Sequence, residues 1–286
     1  MNVIRLSTAL GRYPHTAALL DGRVASPLLA LDPVEVKPIS RAFAPMVRES
    51  RFDVSEMAIA TFLMAKAWGK ELVLLPVAVA ARFQEPALLC RADSGIRGPE
   101  DLRGRRVGVR AYSQTTGLWL RGRMQEAHGV APQDVAWVTF EDAHVAEYRD
   151  PPFVERAAPG KDMLAMLRAG ELDAAIFGYD LPGDAGLRPV FPDPDAAGRA
   201  FRAAHGFVPV NHLVVVKAAM ARDRPEIVTE LLRLFGVAAG DAALPRGRAA
   251  LDPAIVVAMR YALEQGLLPR KMSIDEVWAG LPAGLG

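Results

Sequence analysis

The chain has 286 residues, 51% of them hydrophobic, and its 34 Lys and Arg offset 33 Asp and Glu to leave a net charge of +1. Enough apolar material is present to build one large core or two medium ones, and no net field is available to hold a polyanion, which excludes nucleic acid as a natural partner. The lone cysteine, Cys90, lies in the apolar run PALLCRA, the setting of a buried thiol rather than a redox or metal-binding one.

The N-terminal MNVIRLSTALGRYPH alternates apolar with polar residues instead of carrying a secretory apolar run, so it is expected to be mature structure in a cytoplasmic protein. NVIRLSTAL has the pattern of a strand, and a short helix over 15–21 follows, with Pro14 at its first turn, Thr16 as its cap and Gly22 as its stop. VEVKPI alternates as a second strand, SRAFAPMVRES is helical behind Ser40 as N-cap, and FDVSEMAIATFLMAKAWG opens extended and becomes helical up to Gly69. ELVLLPVAVAARF, broken by Pro76, is too short to cross a membrane. A second unit starts near Ala87 with ALLCRADSGI and the strand RRVGVRA. The polar turn YSQT then leads to the helix TGLWLRGRMQEAHG and the strand VAWVTF. After them come the Pro-rich loop YRDPPFVERAAPG and a helix and buried strand in KDMLAMLRAGELDAAIFG. FVPVNHLVVVK returns as a strand. Three helices follow: one with Pro225 at N1, one opened by Asp252 before Pro253, and one with the Ser273 to Glu276 capping-box spacing. This order implies one lobe made of residues 1–86 and 209–286, a second inserted at 87–208, and a ligand cleft between them.

Three stretches, LRGRRVGVRAYSQTTGLWLRGRMQEAHGV, APGKDMLAMLRAGELDAAIFGYDLP and FVPVNHLVVVK, together with the early ALGRYPHTAALLDGRV, resemble the 4,5-dihydroxyphthalate decarboxylase family. That family is itself similar to type II periplasmic binding proteins. The most specific piece is T-x-x-x-W-x-R-G from Thr115 to Gly122. The resemblance implies an α/β, two-lobed fold, each lobe a mixed sheet flanked by helices, whose cleft holds an aromatic acid that loses CO2 without a cofactor. The chain departs from the family in two places. It has Tyr13-Pro14-His15-Thr16 where the family tends to Tyr-Asp-Arg-Thr, and the segment from Ala80 to Pro86 lacks the family's basic cluster apart from Arg82. Arg82 and Thr16 are nonetheless carried over as substrate-binding candidates.

The turn YSQTTGLW sits where a strand ends and a helix begins, so free amides and the hydroxyls of Ser113, Thr115 and Thr116 suit a carboxylate. Arg110 and Tyr112 flank that turn, and Arg110 has the forked geometry for a carboxylate. Helical spacing makes Trp119 core and Arg121 an interlobe pair or a surface charge. Asp53 and Glu56 lie at a strand-to-helix junction, Asp53 as a structural residue and Glu56 as a helix-start acid or a proton acceptor. His212 precedes an apolar strand at the second crossing between lobes and titrates nearest working pH, which makes it the candidate proton donor, with Asn211 beside it as a ligand contact. His15 or Glu56 is the candidate acceptor of a phenolic proton. His128, His144 and His205 are assigned no role. No metal-ligand spacing, dinucleotide fingerprint or serine elbow is present in the sequence. The expectation is a decarboxylase of a hydroxylated aromatic acid, protonating a ring carbon before CO2 leaves. The alternative is a non-catalytic binder of an aromatic or heterocyclic acid. The expected partners are a small aromatic carboxylate and, as an open alternative, a second copy in a homodimer. Neither a membrane nor a metal is expected.

Overall fold

Alternating apolar residues in IRLSTA form β1 (Ile4–Ala9), and Pro14 with a capping Thr16 starts α1 (Pro14–Leu20) directly beyond it. The computed structural model describes residues 3–285. The chain continues through β2 (Leu29–Pro33), α2 (Phe43–Glu49), β3 (Val54–Ala58), α3 (Ile59–Ala67) and β4 (Leu72–Ala81). Beyond a first crossing come β5 (Leu88–Arg91), β6 (Arg106–Val109), α4 (Thr115–His128), β7 (Ala136–Thr139), β8 (Val154–Arg156), α5 (Met163–Ala169), β9 (Ala174–Ile176), β10 (Leu187–Pro189) and α6 (Pro194–His205). A second crossing leads to β11 (Val210–Lys217), followed by α7 (Ala218–Asp223), α8 (Pro225–Ala239), α9 (Arg248–Glu264) and α10 (Ile274–Trp278).

The strands form a five-stranded sheet, β2-β1-β3-β11-β4, and a six-stranded sheet, β10-β5-β9-β6-β7-β8. Both are mixed. In the first, β11 runs against β3 and β4. In the second, β5 runs against β9 and β10. The reversed strands are thus the ones entered from the two crossings. The crossings lie side by side, Arg82 N donating to Pro209 O and Gln84 pairing with Asn211 through their amides, Nε2 to Oδ1 at 2.8 Å and Nδ2 to Oε1 at 3.3 Å. Helix α9 packs on α3 and β4 of the first sheet and reaches across to α4, where Tyr261 fills the space that Gly122 leaves open, and Trp119 turns its indole N–H to Val210 O at 2.9 Å. Trp119 is core, as its spacing predicts.

Several local expectations are corrected. The second strand is Leu29–Pro33, not VEVKPI, because residues 29–33 find the β1 ladder while the following stretch is left exposed and irregular. Ser40 caps nothing: a single 3₁₀ turn, Ile39–Ala42, begins at Pro38 and passes directly into α2. Helix α9 starts at Arg248, so Pro253 lies inside it, and Asp252 accepts from Trp278 Nε1 at 2.7 Å instead of capping. The Pro-rich loop contains β8, which extends the second sheet by pairing with β7. Pro225 at N1, the Ser273–Glu276 capping box and the buried Cys90 stand as expected.

Candidate active site

Glu56 in β3 is 0% exposed, yet its ladder partner is Val214, and His212 faces Ala58 two positions along. Residues related in this way lie on one face of a sheet and touch. The β11–β4 register shifts on both sides of His212, and such a bulge re-aims a side chain. His212 Nδ1 lies 2.5 Å from Glu56 Oε1, the Tyr13 hydroxyl donates to the same oxygen at 2.8 Å, and Gly11 N donates to Oε2 at 2.8 Å. Burial alone would push the Glu56 carboxyl up, but the hydrogen bond and charge of His212 and the Gly11 and Tyr13 donors outweigh it and hold the group below the usual carboxylate range. An ionised carboxylate only accepts, so the hydrogen on Nδ1 points at Glu56. Nε2 is then the ring nitrogen left to move a proton.

Near this pair the first sheet meets segments that follow the carboxyl ends of β6, β7 and β9, through Ala60 and Thr115, Thr61 and His144, and Arg82 and Tyr179, the end of an α/β sheet where ligand groups are presented. Gly11 is required for this geometry: a Cβ there would stand 2.5 Å from the Tyr13 ring, which folds back over the strand end to reach Glu56. Burial and then the Glu56 charge drive the Tyr13 phenol far above its ordinary value, so it stays protonated as a donor. His15 stacks on Tyr13 with ring centroids 5.3 Å apart, and its Nε2 lies 2.9 Å from Val79 O. A carbonyl accepts only, so Nε2 carries a hydrogen, and Nδ1 forms no hydrogen bond among the described residues. Arg82 lies at the end of β4, partly buried, with Nη2 3.5 Å from Thr116 Oγ1 and the Tyr179 ring 5.4 Å away. It forms no ion pair among the described residues, and burial pushes its guanidinium down.

The N-termini of α3 and α4 meet at this seam: Thr115 Oγ1 accepts from Ala60 N at 3.2 Å. Thr115 thus bridges two helix starts as an acceptor, and its O–H is still able to donate. Ser113 and Thr116 are buried beside it, and no acidic side chain of the described residues accepts from the amides of 115–117. Four candidates are corrected. Thr16 is fully buried and spends its hydroxyl on Gly11 O and Tyr13 N. Asn211 is committed to Gln84. Tyr112 packs in the core against Trp137, Phe153 and Arg121. Arg110 is paired to Glu141 at 2.7 Å. Glu56, with both oxygens taken and no exposure, orients His212 and does not itself take a phenolic proton. Asp53 is structural as expected, held by Ser7 and by Lys217 at 2.8 Å.

Sequence reasoning missed His144. Its Nδ1 lies 2.8 Å from Thr61 Oγ1, and the Phe43 ring meets both His144 and His212 edge-on, at 5.6 and 5.2 Å. Burial and then the Arg110, Arg48 and His212 charges push its imidazole down to about 4. It is a neutral second wall of the seam. No spacing in the chain announces it, since a loop after β7 meets α2 and α3 only through tertiary folding.

A family model described as NMT1/THI5 like matches residues 40–150. A 4,5-dihydroxyphthalate decarboxylase of Pseudomonas putida is 32% identical over 189 residues, 62% of this chain and 71% of that protein. Its namesake from Comamonas testosteroni is 28% identical over 259 residues, 82% of this chain and 74% of that one. Among solved structures, the periplasmic aliphatic sulphonate binding protein SsuA from Escherichia coli superposes with a TM-score of 0.55 at 16% identity, over 96% of this chain and 88% of that one. A point mutant of DszB in complex with biphenyl-2-sulfinic acid gives 0.53 at 19% identity over 97% of each chain. At these identities the structures establish the fold, the two-sheet arrangement of periplasmic binding proteins, as the resemblance implies.

Proposed function

The chain belongs to the 4,5-dihydroxyphthalate decarboxylase family, and from that premise we propose that it is a cofactor-independent carboxy-lyase for a hydroxylated aromatic acid. The acid would lie between a lobe of residues 1–86 and 209–286 and a lobe of 87–208. The observation that carries this reading is the His212–Glu56 pair, an imidazole oriented by a wholly buried carboxylate at the meeting point of the strand ends. Direct loss of CO2 would leave an aryl carbanion with nothing to stabilise it. The reaction therefore begins with proton transfer from His212 Nε2 to the ring carbon that bears the carboxylate, while His15 Nδ1 takes the proton of a ring hydroxyl. The carbon–carbon bond then breaks, its electron pair restores the aromatic ring, CO2 departs, and His15 returns the proton to the phenolate oxygen. Solvent reprotonates His212. Arg82, Ser113, Thr116 and the first amides of α4 hold a carboxylate. Acid–base help of this kind is worth about 10²- to 10⁴-fold.

A second reading, a non-catalytic binder of an aromatic acid, is favoured by the segment between β4 and β5. There Gln84 and Glu85 are buried in the crossing, leaving Arg82 as the basic group. One experiment separates the two: carbon dioxide release from 4,5-dihydroxyphthalate and related hydroxybenzoates by wild type and His212→Gln. The decarboxylase reading expects release by wild type and a fall of about 10²-fold or more in the variant, with melting temperature unchanged. Equal turnover by both proteins removes His212 from the mechanism. A compound that stabilises the wild type and is recovered intact makes the protein a binder.

A further inference from the structure

Arg121 is the largest departure from the expected surface charge or ion pair. It is 0% exposed, and no carboxylate pairs with it among the described residues. Its Nε donates to Gln265 Oε1 at 2.8 Å, its Nη2 donates to Tyr112 O at 2.6 Å, and its guanidinium carbon lies 3.9 Å from the centre of the Tyr112 ring and 5.2 Å from that of Trp137. Gln265 in turn donates to Leu118 O at 2.9 Å. Nη1 has no partner and lies under the first turn of α4, 2.7 Å from where a Cβ on Gly117 would stand. Asp150 acts on this charge only from a distance.

A guanidinium taken out of water without a counter-charge costs several kcal/mol unless something compensates it. Two aromatic faces and two carbonyl oxygens offset part of that cost. The remaining charge sits beside Gly117 in the first turn of α4, whose amides already carry the positive end of the helix dipole. We infer that Arg121 is a positioning residue for anion binding: its buried charge lies behind the α4 N-terminus and, with its bond to Tyr112 O, holds the 112–116 turn, so that a ligand carboxylate at Ser113 and Thr116 becomes its counter-ion. The two glycines of T-T-G-L-W-L-R-G fit this account, Gly117 leaving room for the guanidinium and Gly122 for the Tyr261 ring that packs α9 against the helix. The inference rests on the reading that an aromatic acid is held at α4, and it does not require that acid to be decarboxylated.

The test is calorimetric titration of the full chain with phthalate, which carries two carboxylates and lacks the ring hydroxyls that the proposed reaction needs. Wild type should bind it, and Arg121→Gln and Arg121→Met should each bind about tenfold more weakly or worse, the loss of one unscreened charge near the ligand. Methionine suits the apolar surroundings and serves if the glutamine variant does not fold. Gly122→Ala, which disturbs α4 packing but keeps the charge, should lower the melting temperature and leave phthalate affinity within about threefold. The inference is overturned if wild type does not bind phthalate, if removal of the charge leaves affinity unchanged, or if Gly122→Ala costs as much affinity as Arg121→Gln. Phthalate binding that depends on Arg121, without carbon dioxide from 4,5-dihydroxyphthalate or any of the related hydroxybenzoates, sustains this inference and ends the decarboxylase reading.

Discussion

Two imidazoles that meet the Phe43 ring edge-on have opposite electrostatic settings. His212 has a carboxylate at 2.5 Å, whereas His144 has a threonine hydroxyl as its hydrogen-bond partner and the positive charges of Arg110, Arg48 and His212 acting on it. Glu56→Gln keeps the size of the side chain but removes the charge that fixes the Nδ1 hydrogen, so carbon dioxide release should fall by about 10²-fold, with KM changed little, because Glu56 does not reach the ligand. His144 is held neutral, its imidazole pushed down to about 4 against an ordinary value near 6.5. A base with a lowered folded value contributes stability that is full above about pH 6.5 and is lost as pH falls towards 4, since the unfolded chain takes up that proton first. Urea midpoints measured across this window should fall more steeply for wild type than for His144→Gln. Parallel slopes would show that His144 is not held neutral. At this scale His212 and Glu56 were legible, because a histidine before an apolar strand and an acid at a strand-to-helix junction are unusual local choices. His144 and the Tyr13 contact were not, because each joins a residue of a loop or turn to a segment far away in sequence.

Helix α4 carries the most specific motif of the resemblance, and its packing explains most of those residues. Trp119 closes on the second crossing, Arg121 lies beneath the first turn, and Gly122 admits a tyrosine from a helix more than a hundred residues away. A methyl group on Gly122 would stand 2.1 Å from the Tyr261 ring, a contact that a buried ring between two helices cannot relieve without moving one of them. Gly122→Ala should therefore cost about 1–3 kcal/mol, read as a lowered denaturation midpoint at unchanged slope. An unchanged midpoint would mean that α9 is free to shift. The alternation of strands and helices was readable from periodicity, as were caps with local chemistry such as Ser273 and Glu276. The boundaries that failed, at VEVKPI and at Pro253, are places where tertiary pairing overrode the local pattern. The hydroxyl of Thr16 was assigned to a ligand because a sequence does not distinguish a helix-start oxygen that faces a cleft from one that its own turn has claimed.

The two sheets are joined by paired crossings that the Gln84–Asn211 amides lock together, and they meet again where Thr115 touches α3 and His144 touches Thr61. In the proposed reaction His212, His15 and Arg82 come from the first sheet and Thr116 from the second, so neither half would hold the whole site. Charge balance and element order led to this architecture. They did not identify a ligand, because the segment from Ala80 to Pro86 carries only Arg82 as a basic group. The most direct measurement is carbon-13 NMR of the protein mixed with carboxyl-labelled 4,5-dihydroxyphthalate. The account predicts that label leaves the ring carboxylate and appears as carbon dioxide and bicarbonate with wild type, and stays in place with His212→Gln. Labelled acid that binds to wild type and remains unchanged would contradict it.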